Sequence, residues 1–217
     1  GLINQEALEK TGQELRQRHW RAQAEAGLDF VTVGDFAFYD HVLNHSVGFG
    51  VIPARFGTGQ HANNLDLSFR LARGRAPTGD DAAACEMTKW FDTNYHYLVP
   101  ELTKNQIFTL SYDRLFAEVN EAKALGHRVK VALIGPLTYL WQSKCYGGEF
   151  DKLDLLEALL PVYAQLFSEL MALGVTWIQV DEPILALDLP QIWQAAFERA
   201  YNRLQRRIND LFCRLRR

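Results

Sequence analysis

The sequence predicts an α/β protein, a partial (β/α)8 barrel of the TIM type with about four parallel strands that alternate with helices. Short apolar segments lie near residues 30, 92, 131 and 178, with helical segments between them, and this alternation is typical of parallel βαβ units. Three of these segments end in a glycine or a polar residue followed by a loop, where barrel active sites form. A whole barrel takes about 250 residues, so four strands in 217 residues indicate about half a barrel.

The first part of the chain is predicted to place one strand between helices. Apolar residues recur on one face of segment 4–26, which predicts a helix that Gly27 ends. The apolar segment 28–33 follows as a buried strand. Further helices are expected at 39–43 and 65–71, and Asp80 or Asp81 is expected to cap a short helix that leads to Lys89.

The remaining elements follow the same alternation. An aromatic strand is predicted from Trp90 onward, then a helix over 111–125 and a strand over 129–134. A leucine-rich helix over 153–173 precedes a strand over 175–180. A helix over 192–215 completes the chain.

Composition and cysteine usage indicate a cytoplasmic protein. Hydrophobic residues make up 48% of the chain and charged residues 23%, a balance typical of soluble globular domains. No apolar run approaches the length of a membrane span, and no secretory signal opens the chain. The three cysteines lie far apart, which argues against a disulfide framework and against a zinc knuckle. We therefore expect no contact with a membrane.

Charge is distributed unevenly along the chain. Residues 202–217 contain six arginines and one aspartate, so this segment carries +5 and the rest of the chain −8. One short basic helix without a recognised motif is weak evidence for nucleic-acid binding. We expect no nucleic-acid partner.

Reactive side chains are concentrated in the stretch 86–97. These twelve residues hold a lysine, two carboxylates, a histidine, an asparagine and four aromatic residues. The polar side chains of this stretch could face a ligand from a rigid strand. Alternatively, the stretch could be a buried aromatic strand whose polar groups all have hydrogen-bond partners within the protein. Both interpretations stay open on the residues alone.

Five motifs resemble the cobalamin-independent methionine synthase family and occur in the family's order. They are VGDFAFYDHV at 33–42, ARGRAPTG at 72–79, EMTKWFDTNYHYLVP at 86–100, GPLT at 135–138 and QVDEP at 179–183. The resemblance covers about residues 4 to 201. It implies that residues 1–201 are part of the family's N-terminal barrel, from its second to its fifth strand. Residues 202–217 would be a basic amphipathic helix outside the match.

The resemblance implies a fragment or truncated homologue of a methyltransferase. Such enzymes move a methyl group from 5-methyltetrahydrofolate polyglutamate to homocysteine in methionine biosynthesis. The family match implies that Lys89 helps to bind the polyglutamate tail, since a lysine is a point charge suited to a flexible string of carboxylates. The alternative is that Lys89 pairs with Asp92 or Glu86. A non-catalytic folate-tail-binding module or a self-assembling scaffold is the alternative for the whole chain.

The resemblance implies that zinc is bound in the family's C-terminal barrel, which this sequence does not match. We therefore expect no bound cofactor, no metal site, no catalytic residue and no turnover by this chain alone. His41, His45 and His61 lack the cysteine or acidic spacing of a zinc site. Asp181 and Glu182 could act in acid–base chemistry, but we favour a structural role for them.

An open half-barrel predicts self-association. It would leave two sheet edges unpaired, and exposed edges invite pairing with another chain. Apolar residues also form a stripe along one face of the terminal helix, at Leu204, Ile208, Leu211 and Leu215. The arginines of this helix lie mostly off the stripe, at Arg203, Arg206, Arg207 and Arg214. We expect a homo-oligomer to which this helix contributes.

Overall fold

The computed structural model describes residues 4–57 and 65–215. Its helices are α1 (Gln5–Glu25), α2 (His41–Gly48), α3 (Leu65–Arg73), α4 (Asp113–Ala124), α5 (Pro136–Gln142), α6 (Leu156–Ala172) and α7 (Gln191–Leu215). Its strands are β1 (Val31–Val33), β2 (Met87–Lys89), β3 (His96–Leu98), β4 (Glu101–Leu102), β5 (Val129–Ile134), β6 (Lys144–Cys145) and β7 (Trp177–Asp181). The mixture of parallel strands and helices confirms the α/β class.

The central sheet has the strand order β1–β5–β7, and all its strands are parallel. Val33 lies beside Val131, and Ile134 lies beside Asp181. One face of the sheet, which includes Val33, Val131 and Leu133, belongs to the main hydrophobic core. The opposite face is more open, and there the Lys130 ammonium lies 2.7 Å from the side-chain oxygen of Gln179.

Helix α1 closes one edge of this sheet. The indole N–H of Trp20 donates to the carbonyl oxygen of Thr32 at 2.8 Å, and Gln23 accepts the N–H of Thr32 at 2.8 Å. The other edge is β7, which has no further strand beside it in the described part of the chain. The prediction of two open edges is therefore wrong for β1, because side chains of α1 occupy its outward backbone groups.

The segment near residue 92 is not a fourth parallel strand. Strands β2 and β3 form an antiparallel hairpin instead, and the turn between them holds Phe91 and Asp92 at φ angles of 45° and 61°. A strand cannot run through residues with these φ angles. Within the described residues the sheet therefore has three parallel strands rather than the four of the predicted half-barrel.

Most predicted helices form within a few residues of their expected ends, with one exception. No helix is found between residues 74 and 86, where Asp80 or Asp81 was predicted to cap one. The N–H groups of Ala82 and Cys85 donate instead to carbonyls of Gly74 and Leu71 at the end of α3. This segment therefore runs back along α3 without helical hydrogen bonds of its own.

Helix α6 contributes eight buried residues to the core. The segment Lys152–Ala172 is long and apolar enough to cross a membrane by length and composition, which corrects the expectation that no run approaches that length. Its buried side chains include Leu156, Leu159, Leu160, Tyr163, Leu166 and Leu170. Because these residues belong to the main core, the composition is explained by packing inside the protein.

The first half of the predicted terminal stripe faces this chain's own core. Leu204 is buried, and Ile208 packs against the same cluster. Arg203 and Arg199 both pair with Glu157 of α6. These contacts contradict the proposal that this part of α7 awaits a second chain. The side chains of Arg207, Leu211, Arg214 and Leu215 lie outside the described residues.

Candidate functional site

The stretch singled out in the sequence forms the β2–β3 hairpin. Lys89 lies beside His96 at the end of the paired strands. The N–H of Thr93 donates to the carbonyl oxygen of Trp90 at 3.0 Å, so the φ values of the two central residues define a type I′ turn. Such turns favour glycine or asparagine, and a phenylalanine at positive φ is strained.

Lys89 is exposed on this hairpin. Neither carboxylate that could have neutralised it does so: Glu86 pairs with Lys144 at 2.7 Å, and no ion pair joins Asp92 to Lys89 in the described structure. Lys89 thus presents an ammonium group without a carboxylate partner among the residues described. This arrangement leaves the lysine available for an anionic ligand.

Three aromatic rings form a cluster between the hairpin and α2. The His41 ring lies 5.2 Å from the Trp90 ring and 5.8 Å from the Tyr95 ring. The Tyr95 hydroxyl also accepts the backbone N–H of His41 at 3.2 Å. Burial lowers the pKa of His41, and the Asp181 carboxylate opposes this shift. The cluster therefore contains an imidazole that is largely neutral at pH 7.

Asp40 joins α2 to the hairpin. Its Oδ1 accepts the N–H of Val42 at 2.8 Å, and its Oδ2 accepts the N–H groups of Leu43 and Leu98 at 3.1 Å each. The side chain is buried. Burial raises the pKa of Asp40 to about 6, although all three donors favour the ionised form. One carboxylate thus caps α2 and holds the last residue of β3.

His45 fixes the same helix to the sheet. Its Nε2 accepts the N–H of Ile134 at 3.0 Å, which places the ring proton on Nδ1, 2.9 Å from the carbonyl oxygen of His41. The Tyr112 hydroxyl lies 3.1 Å from the same nitrogen. Burial lowers the pKa of His45 to about 3. The residue is a neutral structural histidine.

The carboxylate pair after β7 divides into two environments. Glu182 accepts the N–H groups of Leu137 and Thr138 at 3.1 and 2.7 Å and the Tyr201 hydroxyl at 2.8 Å. It occupies the space beside Gly135, where an added Cβ would lie 2.1 Å from the carboxyl carbon. Asp181 is exposed, and its carboxylate accepts only a side-chain N–H of Gln179 among the hydrogen bonds described. Glu182 is thus held by three hydrogen bonds, and the structural role favoured from the sequence stays a prediction.

The histidines that the structure describes do not assemble a metal centre. His45 uses both ring nitrogens in hydrogen bonds, and His61 lies outside the described residues. In residues 4–57 and 65–215 no group of three or more His, Cys, Asp or Glu side chains could hold a metal ion. The described residues therefore offer no cluster of three or more such side chains to a metal ion.

Sequence reasoning named Lys89 but missed Asp40 and the strained turn. Asp40 stands directly before a helical segment, which is a signal for a helix cap. Its bond to Leu98, however, spans 58 residues and has no local signature. The positive φ of Phe91 has none either, because neither glycine nor asparagine marks the turn.

Comparison with known proteins agrees with the motifs. The family model for the N-terminal domain of cobalamin-independent synthase matches residues 1–215, and it thus continues past residue 201. A 5-methyltetrahydropteroyltriglutamate–homocysteine methyltransferase from Sodalis glossinidius (strain morsitans) is 55% identical over 205 residues, 94% of this chain and 27% of that protein. The enzyme of the same name from Serratia proteamaculans (strain 568) is 55% identical over 211 residues, 97% of this chain and 28% of that protein.

The chain spans about a quarter of the length of these curated relatives. Its match to the domain model nevertheless extends over nearly all of its residues. The chain belongs to the cobalamin-independent methionine synthase family, within the family's N-terminal domain.

Proposed function

We propose that this chain supplies a binding surface for the polyglutamate tail of 5-methyltetrahydrofolate in an enzyme that methylates homocysteine. The observation that carries the proposal is Lys89, an exposed ammonium on a hairpin with no carboxylate partner among the described residues. The names of the relatives specify a triglutamate substrate. A tail of three glutamates offers several carboxylates to such a cation.

The hairpin suits this task physically. A lysine is a compact charge on a flexible stem and tolerates variable geometry in its anionic partner. The backbone beneath it is fixed by α2 and by the strained turn. Because the hairpin backbone is already ordered, binding has to immobilise only the lysine side chain and the tail, which lowers the entropic cost of binding.

The proposed role is binding and not chemistry. The described residues provide no zinc ligand set, so we assign no step of methyl transfer to them. The metal and the homocysteine site of the complete enzyme would lie in another part of its chain. Purified alone, the 217-residue chain should form no methionine from homocysteine, with or without added zinc, and methionine formation would contradict this assignment.

The tail-binding role is tested by changing the length of the ligand. Lys89→Ala should weaken binding of the triglutamate form by up to about fivefold, the upper end of the range for an exposed charge pair, and should affect the monoglutamate form less. Added salt should weaken wild-type binding to the triglutamate, since exposed charges are screened. Lys104→Ala, at another exposed lysine, is the matched control.

Calorimetric titration of the three proteins with both ligands gives the affinities directly. Equal losses of affinity for the two ligands in Lys89→Ala would refute a role in tail binding. An equal effect of Lys104→Ala would indicate general attraction of anions to the surface instead.

A self-assembling scaffold is the second candidate, and the open edge of β7 favours it. The N–H of Gly135, the residue after β5, donates to the carbonyl oxygen of Asp181, so the backbone groups of Asp181 face β5. Because the backbone groups of successive strand residues point to opposite sides of the strand, those of Ile178 and Val180 point toward the open edge. Trp177 on the same strand is 60% exposed. Antiparallel pairing of β7 with β7 of a second copy would cover this edge and give a homo-oligomer with two-fold symmetry.

Sedimentation at micromolar concentration tests this assembly. Trp177→Lys should shift an oligomer to monomer, since a lysine on an edge strand opposes pairing and the exposed position tolerates it. Ile107→Lys, at a loop residue that is 76% exposed, should leave the oligomer intact. A monodisperse wild-type monomer would exclude the scaffold.

A further inference from the structure

The Asp40 side chain holds the Lys89 hairpin by accepting the N–H of Leu98, which lies 58 positions later in the chain. Asp40 uses one oxygen for the N–H of Val42 and the other for those of Leu43 and Leu98. Leu98 is the last residue of β3 and lies opposite Met87 at the base of the hairpin. The Asp40–Leu98 bond therefore connects the hairpin to the first turn of α2.

We infer that Asp40 is a positioning residue, which holds the Lys89 hairpin in the orientation needed to bind a polyglutamate tail. The inference rests on the proposed function of Lys89. Asp40 itself is buried and is not expected to touch the ligand. It acts through the backbone of β3.

A continuous set of contacts leads from the sheet to the hairpin through α2. The N–H of Ile134 at the end of β5 donates to His45 of α2 at 3.0 Å. One turn earlier in the helix, His41 contacts the Trp90 and Tyr95 rings of the hairpin. Asp40 lies at the start of this helix. The hairpin is thus oriented relative to the carboxyl ends of the parallel strands.

Helix capping alone does not account for a carboxylate at this position. Serine, threonine or asparagine caps a helix about as well as aspartate does, and none of them places an anion in a buried site. The raised pKa of Asp40 means that its ionised form is disfavoured there by burial. The second oxygen is what reaches Leu98, and only a carboxylate provides two acceptor atoms in this geometry.

The hairpin has a second attachment, so loss of the Asp40 bond should loosen it without unfolding it. The Tyr97 hydroxyl lies 2.6 Å from Oε1 and 3.0 Å from the carbonyl oxygen of Gln142 at the end of α5. Asp40→Asn leaves one side-chain oxygen for the N–H groups of Val42, Leu43 and Leu98 and places an NH2 group against at least one of them. This variant therefore weakens the attachment of β3 to α2 with little change in side-chain volume.

The matched control is Asp151→Asn. Asp151 caps the short turn Lys152–Leu155 by accepting the N–H of Leu153 at 2.9 Å, and none of its described contacts involves the hairpin. Both variants exchange a capping carboxylate for an amide. Only Asp40→Asn alters a contact with the hairpin.

Amide hydrogen exchange and tail affinity together test the inference on the full 217-residue chain. In Asp40→Asn, protection of the Leu98 N–H should fall at least tenfold while that of the Ile134 N–H is retained, and affinity for triglutamate should fall about as far as in Lys89→Ala. The Asp40→Asn, Lys89→Ala double variant should bind no more weakly than Lys89→Ala, because both changes act on one contact. Asp151→Asn should match the wild type.

Unchanged Leu98 protection, or additive losses of affinity in the double variant, would overturn the positioning role. A wild-type chain that does not distinguish triglutamate from monoglutamate would instead refute the proposed function of Lys89. The exchange of Leu98 would still decide whether Asp40 holds the hairpin. The two failures are therefore distinguishable.

Discussion

Single residues in this protein carry contacts between distant parts of the chain. The His45 ring accepts the N–H of a residue 89 positions away, and Asp40 accepts one from 58 positions away. Both side chains are buried on or beside one eight-residue helix. That helix is accordingly more than a connection between strands, since it bonds to the hairpin at its start and to the central sheet through His45.

The buried state of His45 predicts a loss of stability in mild acid. Its pKa is about 3 in the native protein, below the ordinary 6.5, so the unfolded chain binds more protons between these values. The free energy of unfolding should therefore fall as the pH drops below 6.5. Between pH 7.5 and 5.0 this residue should account for about 2 kcal/mol of the loss.

Urea unfolding at the two pH values, with His45→Gln as the comparison, isolates this effect. Glutamine keeps an acceptor for Ile134 but does not titrate. The raised pKa of Asp40 has the opposite effect on stability: its contribution is present below pH 3.8 and is lost as the pH rises through about 6. Because Asp40 is present in both proteins, its contribution cancels when the wild type is compared with His45→Gln. Equal losses in both proteins would show that His45 is not held neutral.

Local signals can be read from this sequence, and contacts between distant residues cannot. A motif points to Lys89, and its role in tail binding stays a prediction. The hydrogen bonds of Asp40 and His45 depend on the tertiary arrangement, which one sequence does not reveal. Tertiary context also decides that Lys89 has no carboxylate partner among the described residues, since Glu86 pairs with Lys144.

At the scale of elements, the apolar segments with glycine stops were predicted close to their observed bounds. Strands β1, β5 and β7 lie within the segments predicted for them or one residue beyond. The hairpin was missed because its turn contains Phe91 and Asp92 in place of glycine or asparagine–glycine. An aromatic run of this kind has the composition of a strand, so the sequence favoured a strand where the chain reverses.

The strained turn predicts a stabilising substitution. Asp92 is exposed at a φ of 61°, and glycine is the preferred residue at the second central position of a type I′ turn. Asp92→Gly should therefore raise hairpin stability by about 0.5 kcal/mol. Exchange protection of the Trp90 N–H, which donates to Tyr95 across the turn at 2.7 Å, measures the effect.

Asn94→Gly is the control for this change. Asn94 is exposed and is not among the residues with positive φ, so glycine there should lower stability through added freedom of the unfolded chain. Opposite signs for the two variants support a strained turn. A loss of protection in both would indicate that the Asp92 side chain, and not its backbone conformation, matters.

At the scale of the whole molecule, the described chain is an α/β unit whose central sheet has one open edge. The half-barrel prediction counted four strands from composition, and the structure provides three in the parallel sheet. Helix α1 covers the β1 edge through Trp20 and Gln23, a contact that no sequence pattern marks. The unpartnered β7 edge is the one at which another copy, or another part of a longer chain, would continue the sheet.

The most direct test of the central claim is to map where a γ-linked triglutamate binds on this chain. Titrating the isotopically labelled protein and following its amide resonances locates the contact without relying on mutation. We predict shifts concentrated on the hairpin, at Lys89, Asn94 and His96, that disappear in Lys89→Ala. Shifts confined to another basic surface, such as the loop of Arg73 and Arg75, or no shifts at millimolar triglutamate, would contradict the claim.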